Sequence, residues 1–511
     1  MTRLTRIAIA AAILFFAASA PRAARAGSST IHPISQDGND GLNRVGHIIV
    51  LMQENHSFDN YFGALPYDHA AGYHPPARSG HPCDPMDHQC VDGLTCAAET
   101  HGDLKCANFN VDSSGRKIFA FHEREDCTYD PLHGWYEAHR DANFNDPNSP
   151  VMLNDGFVRM SPDDPTNTVM GYYTRAELPY YYALAAKFAL DDRYFCAILG
   201  PTMPNRMYLM AGTSFGHILT ARSEDIPPPG GYKPITGTLF DLLDRAHVRW
   251  TEYYQLPDDR FTPPRPYGAL FLDYPSPHFR RIDDFYTDVA AGKLAPVVLI
   301  DLSRHEHPNL DIHGGEHEVA RIVTALRRSS EWRNSILFLT YDENGGYYDH
   351  VAPVPAPAPD GIPPGACADR SHPPLSMVAG HGAKCAASIK AQEMMCAAAK
   401  PREMCANFDR TGFRVPLIAI SPFARPHYVS HTVADHSSLT AYIERRFLHG
   451  EHLTYRDAEA NPLSDMFDFS GAPSRDAEPP PVSLAPAASA KDPGCRNYPA
   501  YRRHEEISPP S

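Results

Sequence analysis

Long hydrophobic runs are almost absent from this sequence of 511 residues. The one apolar stretch near its start, Ile7 to Ala18, falls short of the roughly 20 residues that span a bilayer, and Pro21 closes it. With Arg3 and Arg6 around a short basic region and Ala24-Arg25-Ala26 as a small-x-small cleavage site, residues 1–26 read as a signal peptide. The mature chain is expected to be soluble and secreted or periplasmic. An excess of positive charge is missing too: 46 Lys and Arg stand against 61 Asp and Glu, a net charge of −15, and no basic stripe is interleaved with aromatics. Nucleic acid is therefore excluded as a partner. There is no internal repeat, which removes stacked-repeat architectures. The sequence also lacks a repeated C-x-x-C, and His317-Glu318-Val319-Ala320-Arg321 has Arg where a zinc protease needs its second His.

Cysteine is plentiful: eleven in an exported chain point to disulfides. Cys83, Cys90, Cys96, Cys106 and Cys127 form one group, and Cys367, Cys385, Cys396 and Cys405 another, with Cys495 near the end. Cys196 lies in the apolar run Tyr194-Phe195-Cys196-Ala197-Ile198-Leu199 and is the candidate free thiol. The 27 histidines suit metal or proton-transfer chemistry.

Five apolar, β-branched runs read as buried parallel strands: His47 to Met52, Val248 to Tyr254, Ala295 to Leu302, Ser335 to Tyr341 and Val415 to Ser421. Helical spacing marks Leu178 to Ala189, Gly237 to Ala246, His317 to Arg328 and Ser437 to Leu448. Alternating strands and helices predict an α/β fold with helices on both faces of the sheet. Residues of about 64–130 and 353–410, rich in Pro, Gly and Cys, read as disulfide-stapled excursions within a catalytic domain spanning 27–471. A Pro/Ala-rich tail follows over 472–511.

The first strand runs straight into Glu54 and Asn55, and the fourth into Asp342 and Glu343. Ligands bind at the carboxyl edge of such sheets, so two strands present three carboxylates and an amide together. This hard-oxygen set suits one divalent cation. A third element, Gly200-Pro201-Thr202-Met203-Pro204-Asn205-Arg206, begins a helix, and Thr202 would sit where backbone N–H groups favour an anion. Read alone, Thr202 is a plain N-cap. His133, His307 and His350 are candidates for acid–base work or phosphate binding, whereas capping is the safer assignment for His436.

Together the segments HIIVLMQENHSFDNYFG, GPTMPNR, TYDENGGYYDHVAP, RVPLIAISPFA and DHSSLTAYIERRF resemble, in order, the bacterial phosphoesterases that include phospholipases C and related acid phosphatases. The resemblance implies a three-layer alkaline-phosphatase-like core and a metal site carried by Glu54, Asn55, Asp342, Glu343 and the hydroxyl of Thr202. It places Thr202 at the nucleophile position and His133, His307 and His350 among active-site histidines. The cysteine-rich insertions depart from the compact family pattern. GPTMPNR does not supply the nucleophile context of a sulfatase, which would share the fold. The expected activity is metal-dependent hydrolysis of phosphoric esters through a phosphothreonine. The expected substrate is a phosphate monoester or a phospholipid, with transient contact at a membrane surface. A non-catalytic secreted binding protein on the same scaffold is the alternative.

Overall fold

The structure, a computed structural model, describes residues 41–98, 104–220, 227, 229–256, 265–303, 306–366, 368, 386–398, 405–474 and 477–486. Residues 1–26, expected to be a signal peptide, and most of the tail lie outside the described residues, as do Cys367, Cys385 and Cys495.

Eight strands form the central sheet: β1 (His47–Gln53), β2 (Ala189–Asp191), β3 (Trp250–Tyr254), β4 (Phe279–Arg281), β5 (Val297–Asp301), β6 (Ser335–Tyr341), β7 (Leu417–Ile420) and β8 (Tyr428–Ser430), in the order β4-β3-β5-β1-β6-β7-β2-β8. The register pairs Ile48 with Val297 on one side of β1 and Gln53 with Tyr341 on the other, both parallel. Every residue of β6 is buried, as a strand covered on both faces must be. Each Ile, Leu or Val taken out of water there contributes about 1.5–3 kcal/mol.

The strand expected over Val415 to Ser421 is β7, and it runs antiparallel to both β6 and β2. That corrects the parallel direction expected for this strand, and the sheet as a whole is mostly parallel. After β6 the chain makes its long excursion and re-enters the sheet at the edge it left, with Leu417 opposite Thr340. A strand entering from that edge can only run backwards.

Nine helices matter below: α1 (Phe58–Phe62), α2 (Trp135–Ala142), α3 (Pro179–Lys187), α4 (Thr202–Ala211), α5 (Leu239–Arg245), α6 (Ile282–Ala291), α7 (Ile312–Arg328), α8 (Ala386–Ala398) and α9 (His436–Phe447). The four periodic segments correspond to α3, α5, α7 and α9. The last opens on an Asp435 capping box. The first excursion is stapled by Cys83–Cys90 and Cys96–Cys106, and Cys396–Cys405 closes α8 onto its following loop. Cys127 is disulfide-bonded as well, and Cys196 is free and buried. Among the described residues no helix is long and apolar enough to cross a membrane.

Candidate active site

The chain leaves β2 at the carboxyl edge and reaches Pro201, which is the N-cap of α4, so Thr202 is the first helical residue and not the cap. Asn205 fixes this entry: its Oδ1 accepts from the Ile198 amide at 3.0 Å and its Nδ2 donates to the Gly200 carbonyl at 2.8 Å. One turn on from Thr202, on the same face of the helix, stands Arg206. Its guanidinium donates to Asp342 Oδ2 at 2.9 Å, Asp301 Oδ1 at 3.2 Å, Glu54 Oε1 at 3.4 Å and the Met52 carbonyl at 3.2 Å. The first turn of α4 is thereby held against the ends of β1, β5 and β6. Along the helix axis Thr202 lies about 6 Å from Arg206.

Glu54, Asn55, Asp342 and Glu343 are all buried at that edge. Gly345 makes this possible, because a Cβ there would fall 2.2 Å from the Asn55 carbonyl oxygen. Asp342 spends one oxygen on Arg206 and the other on the Glu343 amide at 2.8 Å. Glu54 also accepts from the Tyr267 hydroxyl at 2.6 Å. Glu343 accepts from the Gly345 amide at 2.6 Å through Oε2, whereas its Oε1 and the Oδ1 of Asn55 are buried with no hydrogen-bond partner. Burial pushes the Glu343 carboxyl well above its ordinary range, and also that of Asp342 despite Arg206. One guanidinium thus meets the carboxylates of Glu54, Asp301 and Asp342, with Glu343 adjacent. Buried oxygens without donors, in a set of carboxylates and an amide, fit a hard divalent cation.

His133 and His307 converge beside this edge, with ring centroids 5.7 Å apart. His133 donates through Nδ1 to the Pro131 carbonyl at 2.6 Å, which leaves Nε2 to accept from Asn55 Nδ2 at 3.2 Å, with Glu343 Oε1 at 3.7 Å. Asp130 Oδ1 lies 3.8 Å from a nitrogen of each ring. The loop bearing His307 is pinned by Glu306, a fully buried carboxylate. It accepts from Gln53 at 2.9 Å, Tyr61 at 2.7 Å and Tyr341 at 2.6 Å, and from the Tyr181 hydroxyl. Burial raises this carboxyl to about 7 even against those four donors.

His350 is placed elsewhere. Its Nδ1 is 2.7 Å from Asp59 Oδ2 and its Nε2 3.2 Å from Asp92 Oδ1, next to Arg414. None of these partners belongs to the carboxylates around Arg206. His436 is not a cap either: it follows the capping Asp435, and its Nε2 meets the Asp342 carbonyl at 2.7 Å. Sequence reasoning missed Arg206, Asp301, Tyr267 and Asp130 as members of the site. Asp301 could have been found as the acidic residue that ends a buried apolar strand.

A helix start that carries Thr202, tied by Arg206 to a buried, oxygen-rich sheet edge with two imidazoles, fits a phosphoric ester hydrolase, and the comparisons show that class. Residues 45–448 match the model of the Phosphoesterase family, and the chain belongs to that family. Phospholipase C B of Mycobacterium tuberculosis is 31% identical over 471 residues, covering 84% of this chain and 79% of its own. Non-specific phospholipase C1 of Arabidopsis thaliana is 28% identical, covering 84% of this chain and 72% of its own. Hemolytic phospholipase C of Pseudomonas aeruginosa is 28% identical, covering 84% of this chain and 56% of its own. Among solved structures, an alkaline phosphatase superfamily protein of Vibrio parahaemolyticus overlaps 58% of this chain and 66% of its own, with 10% identity and a TM-score of 0.31. That overlap is too slight to bear on the site.

Proposed function

We propose that this enzyme cleaves phospholipids as a phospholipase C, with Thr202 as the nucleophile and one divalent cation held by Glu54, Asn55, Asp342, Glu343 and the Thr202 hydroxyl. The observation that carries this reading is the pair of donorless buried oxygens, Asn55 Oδ1 and Glu343 Oε1, on the edge to which Arg206 ties the start of α4. When bound, the cation would lower the pKa of the threonine hydroxyl and neutralise charge on the phosphoryl group.

The chain's own residues supply the rest. The amides at the start of α4 face the anionic phosphoryl oxygens. Thr202 Oγ1 forms a bond to phosphorus as the ester P–O bond breaks, giving a phosphothreonine and an alcohol. His133 or His307 takes the proton that Thr202 loses and passes it to the leaving alcohol, and water then releases phosphate or the phosphorylated head group. His350, clamped between two carboxylates, supports the framework in this reading and does not transfer the proton. Three relatives named phospholipase C favour a lipid diester over a phosphate monoester. Disulfides suit the secreted or periplasmic setting.

The test is to assay purified enzyme on phosphatidylcholine and on p-nitrophenyl phosphate, with and without EDTA, beside Thr202→Ala. Full activity of the variant would remove Thr202 as nucleophile. Activity untouched by EDTA would remove the cation, and inactivity on both substrates would favour a binding protein.

A further inference from the structure

The first excursion carries a short hairpin, β9 (Phe109–Val111) paired with β10 (Lys117–Phe119), whose two faces are inverted. Side chains alternate across a strand, so Asn110 points to the body of the protein while Phe109 and Phe119 point out. Asn110 is buried, and its amide donates to the Asn154 carbonyl at 2.9 Å. Phe109 and Phe119 are directly opposite in register, with rings 5.6 Å apart, and are 37% and 48% exposed. The loop to which Asn110 bonds adds Val151 and Leu153, exposed to 63% and 58%. Four of the large exposed apolar side chains are therefore gathered on two segments that are bonded together. Such a grouping is costly in water and marks a contact surface.

Cations accompany it. Lys117 lies over the Phe109 ring at 3.9 Å, and Arg159 donates to the Val111 carbonyl at 3.1 Å while covering Phe144 at 4.6 Å. Arg140 also packs on Phe144, at 4.2 Å. In a chain of net charge −15, an exposed aromatic pair with Lys117 over one ring and Arg159 bonded to the same strand matches the apolar interior and phosphate layer of a lipid surface. The patch is tied to the active-site chain as well, because Asn154 donates to the Asp349 carbonyl at 2.7 Å, six residues past Glu343.

We infer that the Phe109–Phe119 hairpin and the adjoining loop at Val151 and Leu153 form a docking surface for a phospholipid bilayer, which seats the enzyme on its aggregated substrate. The inference rests on the lipid reading of the active site.

The experiment uses the full mature chain and compares wild type, Thr202→Ala and the double variant Phe109→Ser/Phe119→Ser. Each is tested for cosedimentation with vesicles of phosphatidylcholine, with and without phosphatidylglycerol, and for hydrolysis of p-nitrophenyl phosphate. The expected result is vesicle binding by wild type and Thr202→Ala alike, strengthened by phosphatidylglycerol, and about tenfold weaker binding by the double variant. Its hydrolysis of the soluble ester should stay at the wild-type level, which shows that it is folded. Equal vesicle binding by wild type and double variant would overturn the proposal, as would failure of both to bind either vesicle. Vesicle binding by an enzyme that cleaves only the soluble ester would overturn the lipid substrate while leaving the docking surface standing.

Discussion

Two buried arginines, Arg206 and Arg414, organise two clusters of carboxylates, and they differ in whether donors and acceptors balance around them. Arg414 donates to Asp349 Oδ1 at 2.9 Å, Asp59 Oδ1 at 3.0 Å and the carbonyls of Asp92 and Asp192 at 2.7 and 2.9 Å. His350 and Arg193 add positive charge against Asp59 and Asp92. Beside Arg206, by contrast, Asn55 Oδ1 and Glu343 Oε1 are buried oxygens with no hydrogen-bond donor among the described residues. A balanced buried cluster has fixed partners for its charges and acts as a clamp. An unbalanced one keeps a demand that a ligand can meet.

The sharpest way to break this comparison is to remove Thr202, which belongs to the unbalanced side only. Thr202→Ala is expected to cut kcat by about 10³-fold or more, with thermal melting within about 0.5 kcal/mol of wild type. A kcat loss smaller than tenfold would separate Thr202 from the chemistry. On the balanced side, Arg414→Met should leave three aspartates facing one another and cost about 3–5 kcal/mol of stability, measured by urea unfolding. A cost below about 1 kcal/mol would show that the clamp reading is wrong.

Glu343→Gln tests the demand itself. Without metal, exchanging a buried, poorly neutralised carboxylate for an amide should leave the melting temperature unchanged or raise it. With metal it should cut activity by about 10²-fold and weaken cation binding, read by calorimetry with Mn²⁺ or Ca²⁺. A fall in melting temperature in the metal-free protein would place Glu343 with the clamps. Glu306→Gln, expected to lower kcat by about tenfold with KM little changed, separates a clamp that positions a catalytic loop from one that holds the fold. Here equal changes in kcat and stability would contradict a positioning role.

Both arginines stand in motifs visible in the sequence, GPTMPNR and RVPLIAISPFA, yet neither was legible as the centre of a cluster. The strand ends at Glu54 and Asp342 were legible, because an apolar run that stops at an acid needs only the period-2 geometry of β-structure. What Arg206 joins depends on a helix crossing from β2 to the far side of β1, a distance along the chain that no local pattern encodes. The same holds for β7, whose apolar residues announced a strand but whose direction was set by the excursion before it. His350 follows the acidic motif by only seven residues and so invited assignment to the site. The fold turns it toward Asp59 and Asp92, whose positions in α1 and the first excursion gave no sign of that meeting.

The smallest expected effect concerns pH and belongs to the balanced cluster. Burial alone would lower the His350 pKa, but the Asp59 charge and the hydrogen bonds to Asp59 and Asp92 outweigh it and carry it from 6.5 up to about 10. A group raised on folding stabilises fully below its unfolded value, so the His350 contribution is present below about pH 6.5 and lost as pH rises to about 10. Asp92 behaves in the opposite sense: burial pushes it up, but His350, Arg414 and Arg193 bring it down from 3.8 to about 2, so its contribution is lost only as pH falls through that range. Asp349, raised mainly by burial to about 6, subtracts stability as pH rises from 3.8 to about 6. Above pH 6.5 the slope therefore falls to His350 among these three. The stability gap between wild type and His350→Gln, from urea unfolding, should shrink steadily between pH 7 and pH 10. A gap that stays constant across that interval would mean that His350 is neutral in the folded protein, and Arg193 and Arg414 would then face Asp59, Asp92 and Asp349 without its charge.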